Sequence, residues 1–128
     1  MSPNAVRKLQ PFTSTFVSNS TADTIQIDNV EGGKLGSPVT LKTMMVTPSM
    51  VFVETAFSKG QASPPHSHDD HESIVYVLEG QVKATIDGEE FIAGPGDAWY
   101  NAPGVVHNVE ALTDAKSVEV KPPPIKAR

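Results

Sequence analysis

The sequence contains no cysteine. That excludes a disulfide framework, a thiolate metal site and a cysteine nucleophile, and it leaves any bound metal to nitrogen and oxygen ligands. Basic residues are also in short supply. Against 15 Asp and Glu stand 10 Lys and Arg, a formal charge of −5 at neutral pH, and an acidic chain of this kind argues against a nucleic-acid-binding face. No apolar run approaches the ~18 residues of a membrane-spanning helix, and the opening MSPNAVRKLQPFTSTFVSNS lacks the apolar stretch of a signal peptide. A cytoplasmic protein without a membrane anchor is expected. No segment sustains an apolar helical period, so helices are not the framework.

Turn formers are plentiful, with 11 prolines and 9 glycines in 128 residues. Turns must come often, and the regular structure between them reads as strand, in one all-β domain with one core. Residues 1–36 carry little strand signal outside Thr24-Ile25-Gln26-Ile27 and are expected to form an arm or an edge strand. Residues 37–121 hold the strand candidates VTLKTMMV, MVFVETAF, SIVYVLEG, QVKATIDGEEFIAG, AWYNAP, VVHNVEAL and AKSVEV. Asp87-Gly88 is the strongest hairpin signal among them. Residues 122–128 form a tail whose prolines lack the backbone donors that a central strand requires. Regular short strands of this kind suggest a barrel or jelly roll.

All four histidines fall in two places: His66, His68 and His71 close together, and His107 in a later strand. In extended backbone, side chains two apart share a face, so His66 and His68 present two imidazoles together and His107 can close a metal site.

The stretch GQASPPHSHDDHESIVYVLEG resembles the first motif of the cupin family through Gly60, His66, His68 and Gly80. GPGDAWYNAPGVVH is similar to the second through Gly96, Pro103 and His107. The resemblance covers roughly residues 60 to 108 and implies a single cupin jelly-roll barrel. It further implies one divalent metal ion (iron, manganese, nickel, zinc or copper) held by His66, His68, His107 and a motif acid. Counted forward from His68 that acid is Glu72; counted back from Gly80 the slot falls on Ser73. A β-bulge would turn Glu72 inward; otherwise three histidines hold the ion alone, or His71, which shares strand parity with Ser73, joins them.

Ligands of this number leave coordination positions open to substrate, the arrangement of a catalytic site. Lewis-acid isomerase or lyase chemistry on a small oxygenated acid, sugar derivative or enol is the leading expectation, with Glu72, Tyr76 or His71 as general base. Dioxygenase chemistry is the rival, and a non-catalytic binding module the third reading. Tyr76, Trp99 and Tyr100 are candidates for the pocket wall, Met44, Met45 and Met50 for core filling, and Asp69 and Asp70 for a solvated loop. An exposed sheet edge suggests a homodimer.

Overall fold

The computed structural model describes residues 9–30 and 33–127; residues 1–8 of the expected arm, residues 31–32 and residue 128 of the tail lie outside the described residues. Among the described residues nine strands follow one another: β1 (Thr24–Val30), β2 (Gly33–Val46), β3 (Val51–Phe57), β4 (Ser73–Glu79), β5 (Val82–Ile86), β6 (Glu89–Ala93), β7 (Ala98–Asn101), β8 (His107–Ala111) and β9 (Ala115–Lys121). They form two antiparallel sheets, one ordered β1-β2-β3-β9-β4-β7 and the other β6-β5-β8, which together make the expected jelly roll.

Alternation decides which side chains face inward. Val51 and Val53 of β3 are buried while Phe52 is exposed, and on β4 Ser73, Val75 and Val77 are buried while Ile74, Tyr76 and Leu78 face out. The core is mostly valine: Ile27, Val39, Leu41, Val46, Val51 and Val53 in one cluster, Val77, Val82, Ala93 and Ala115 in another. The methionines do not fill it, since Met44 and Met45 are half-buried and Met50 is exposed. β-Branched residues pack a pleated face better than an unbranched thioether does.

The Asp87-Gly88 hairpin forms as expected, with φ of 52° and 82° at the two turn residues and Ile86 facing Glu89. The second strand begins at Gly33 rather than Val39, taking in Pro38. A register shift between Ile27 and Asn29 places Pro38 where β1 makes no pair, so its missing N–H breaks no ladder bond. The tail makes no strand but folds back on the barrel. Pro124 and Ile125 are buried, the Pro124 carbonyl accepts from Leu9 N–H at 2.7 Å, and Pro122 O accepts from Glu72 N–H at 3.2 Å.

Candidate functional site

The segment after β3 runs antiparallel along β8. Gly60 N–H donates to Ala111 O, Ser63 N–H to Val109 O, and His66 and His107 exchange both backbone bonds, at 3.0 and 2.8 Å. A loop histidine and a strand histidine are thereby fixed side by side. His68 follows two residues on, its carbonyl held by Gly104 N–H at 2.9 Å. One ring nitrogen from each of His66, His68 and His107 lies within 4.8 Å of the others.

Two tautomers are set by the backbone. A carbonyl can only accept, so His66 Nδ1–H donates to Pro64 O at 2.7 Å and His107 Nδ1–H to Val105 O at 3.0 Å. Each ring then keeps its Nε2 lone pair for a cation, the usual support given to a ligating histidine. His68 and His107 are buried and His66 half-buried.

Glu72 lies outside this cluster. It is exposed, and its carboxylate accepts from Tyr100 Oη–H at 2.9 Å on the outer surface. The inward position belongs to Ser73, which is 2% exposed. No bulge intervenes at the start of β4, where Ser73 pairs with Asn101 and Ile74 with Tyr100, so strict alternation turns the glutamate out. Tyr76, 45% exposed, also points outward, as does Tyr100.

His71 is buried behind His68, the ring centroids 4.4 Å apart, and is not among the converging ligands. Its Nδ1–H donates to Asp70 at 2.8 Å, and Asp70 pairs with Lys126 at 3.4 Å, so Asp70 is a half-buried link rather than a solvated loop residue. Burial, which outweighs the carboxylate partner, holds the His71 imidazole below its ordinary value of 6.5. The unfolded chain therefore binds this proton more readily than the folded one. Stability from this group is fully present above about pH 6.5 and falls as the pH drops below it. Urea titrations on chelator-treated protein should show the midpoint falling from pH 7.5 to 5.5, with a smaller fall in His71→Leu.

A cavity of about 100 Å³ opens beside the three histidines, walled by Ile27, Leu41, Val75, Val82 and Trp99. Its polar side comes from β9, where Ser117, Glu119 and Lys121 face inward between Val53 of β3 and Val75 of β4. Burial alone would push the Glu119 carboxyl up. The Lys121 ammonium at 3.8 Å and a hydrogen bond from the Ser73 hydroxyl together hold it below the usual carboxylate range. Asn101 Nδ2–H donates to Ser73 Oγ at 3.2 Å, which leaves the serine hydroxyl hydrogen for Glu119.

Sequence reading missed this carboxylate. The available signal was the period-2 spacing of Ser117, Glu119 and Lys121, three polar residues on the face that also carries buried Ala115.

The family pattern described as "Cupin domain" matches residues 53–120, from β3 to β9. The chain belongs to the cupin family. This cupin is similar to the pectin degradation protein KdgF of Dickeya dadantii, 31% identical over 87 residues, covering 68% of this chain and 79% of that protein. Among solved structures it is similar to KdgF from a Halomonas species, with a TM-score of 0.73 and 28% identity over 87% of this chain and 94% of that one. A predicted oxalate decarboxylase of Thermotoga maritima shares the fold at the same TM-score, 22% identity, and coverage of 83% and 96%. What the three-histidine cluster of this cupin offers is a site able to hold a metal ion, next to an ionised carboxylate in the same cavity.

Proposed function

We propose that this cupin is a homodimeric, cytoplasmic enzyme that holds one divalent ion on His66, His68 and His107. We further propose that it carries out isomerase or lyase chemistry on a small oxygenated acid or sugar derivative. The observation that carries the reading is the convergence of three imidazoles and the Glu119 carboxylate on one small cavity. The donor set fits the metal, because imidazole nitrogen suits iron, nickel, zinc and copper alike. When bound, the ion supplies Lewis-acid polarisation of a substrate oxygen.

The remaining work falls to this chain's own groups. Glu119, kept ionised, would accept a proton from the carbon alpha to a substrate carbonyl and, for an isomerisation, return it to the neighbouring carbon of the resulting enediol. Ser73 and Lys121 fix the direction of its carboxylate. The apolar wall of Ile27, Leu41, Val75 and Val82 excludes water from the reacting carbon. Likeness to a pectin degradation protein supports a sugar-derived acid as the substrate class.

A second reading, dioxygenase chemistry, draws support from the outward turn of Glu72, which leaves three neutral ligands. The deciding assay offers monomers and short oligomers released from pectin to zinc-, nickel- or manganese-loaded protein under argon. Conversion without oxygen, falling about 10²-fold or more in Glu119→Gln, is the expected result. Oxygen consumption that matches substrate loss only in iron-loaded protein would replace it with the second reading. Tight binding with no conversion under either gas would make the protein a binding module.

A further inference from the structure

We infer that Trp99 and Asn101 form a subsite for ligand hydroxyls in the cavity beside the three histidines, and that this pair selects a hydroxylated acid over its deoxygenated counterpart. The inference rests on the reading above of a small oxygenated substrate and names the residues that read its hydroxyls. Both side chains come from β7, two residues apart, where exposed Ala98 and Tyr100 alternate with half-buried Trp99 and buried Asn101. Trp99 stands opposite Val75 and Asn101 opposite Ser73 of β4, and both line the cavity together with Glu119.

Each carries a buried polar atom that no described residue engages, Nε1 of Trp99 and Oδ1 of Asn101. The neighbours of Asn101 fix which way its amide lies. Ser73 has a single hydroxyl hydrogen, and that hydrogen serves Glu119. Asn101 can therefore meet Ser73 Oγ only as a donor, through Nδ2 at 3.2 Å, and its carbonyl oxygen is left over. The Trp99 ring packs against Val77, Val82, Ala93 and Ala115, which holds it in place while its N–H meets no acceptor among the described residues.

A buried donor or acceptor without a partner costs stability, and an aliphatic side chain like those of the rest of the wall would avoid that cost. A bound ligand can recover it, and the chemistry of the two atoms says which group does so. Indole N–H only donates, and an amide oxygen only accepts. An anion would suit the first and be repelled by the second; an ammonium would do the reverse. A hydroxyl suits both. Two residues of strand separate the pair by about 6.6 Å, a span that hydroxyls on neighbouring carbons can bridge, one to each atom. Glu119 lies one hydrogen-bonded step beyond Asn101, through Ser73, so a ligand held here shares the enclosure of the proposed base.

Trp99 is the chain's one tryptophan, so isotope-labelled protein gives a single indole N–H signal in its nuclear magnetic resonance spectrum. The test titrates zinc-loaded full chain with tartrate and with succinate, dicarboxylates of equal length that differ by two hydroxyls. Tartrate is expected to move the indole proton downfield and to bind at least ~10-fold more tightly than succinate. Trp99→Phe keeps a packing ring and loses the N–H; it should cut that preference by about 5-fold with succinate affinity unchanged. A merely structural tryptophan would weaken both acids alike. Circular dichroism and zinc uptake matching the parent show that the variant folds, and the indole signal of the parent needs no variant at all. An indole proton that ignores tartrate, or answers both acids equally, overturns the subsite, as does a tartrate preference that survives Trp99→Phe. The substrate reading fails separately. Tartrate selection without conversion of pectin-derived sugars leaves the subsite on a binding module, whereas conversion with an unchanged KM in Trp99→Phe leaves an enzyme without this subsite.

Discussion

Protein carrying His66→Ala and His68→Ala is expected to retain no metal after dialysis, whereas Glu72→Ala retains as much as the parent. The asymmetry follows from where the side chains point. His66, His68 and His107 bring ring nitrogens within 4.8 Å of one another, and two of them are held in the ligating tautomer by backbone carbonyls. Glu72 spends its carboxylate on Tyr100 at the surface. Losing a single supporting contact to a ligand typically weakens a metal site ~10- to 100-fold, so losing two ligands should cost at least ~10³-fold. Elemental analysis of tag-free protein, followed by competition with a chromophoric chelator, measures both. Should Glu72→Ala shed its metal as the histidine variant does, a carboxylate ligand from the first motif must be restored to the site.

Gly80→Ala is expected to be among the most damaging single-methyl changes in the chain. This residue joins β4 of one sheet to β5 of the other with φ of 76°, and a Cβ there would collide with the Asp114 carbonyl oxygen and stand 2.9 Å from Ala115 Cα. The left-handed conformation costs roughly 1–2 kcal/mol for any L side chain. Pushing back a neighbouring backbone adds about 1–3 kcal/mol. A loss of about 3 kcal/mol, on the order of 10 °C in Tm for a domain of this length, should be visible by calorimetry. Gly88→Ala is the control, with φ of 82° but open space around the new methyl, so only the backbone cost of about 1–2 kcal/mol remains. Equal losses in the two variants would show that the Asp114 contact has slack.

Much of this architecture was legible because it is written in local chemistry. Asp87-Gly88 admits a tight hairpin, the alternation of SIVYVLE assigns each residue a face, and His-x-His in extended backbone presents two rings together. The choice between Glu72 and Ser73 could not be made that way. It depends on whether a bulge interrupts the start of β4, and that is decided by pairing with Asn101 and Tyr100 far along the chain. Glu119 was hidden for the opposite reason. An isolated alternating strand does not say which of its faces is enclosed, and only the position of β9 between β3 and β4 turns Ser117, Glu119 and Lys121 inward. The arm and tail carry too little periodicity to foretell that Phe12 and Ala127 pack against the core.

The paired backbone bonds between His66 and His107 have a consequence for how metal is acquired. These bonds set the spacing of the two residues through the main chain, so a cross-strand pair and not the ion is expected to carry the geometry. Chelator-treated protein should then keep the circular dichroism of the loaded form and take up zinc again on dilution into the metal.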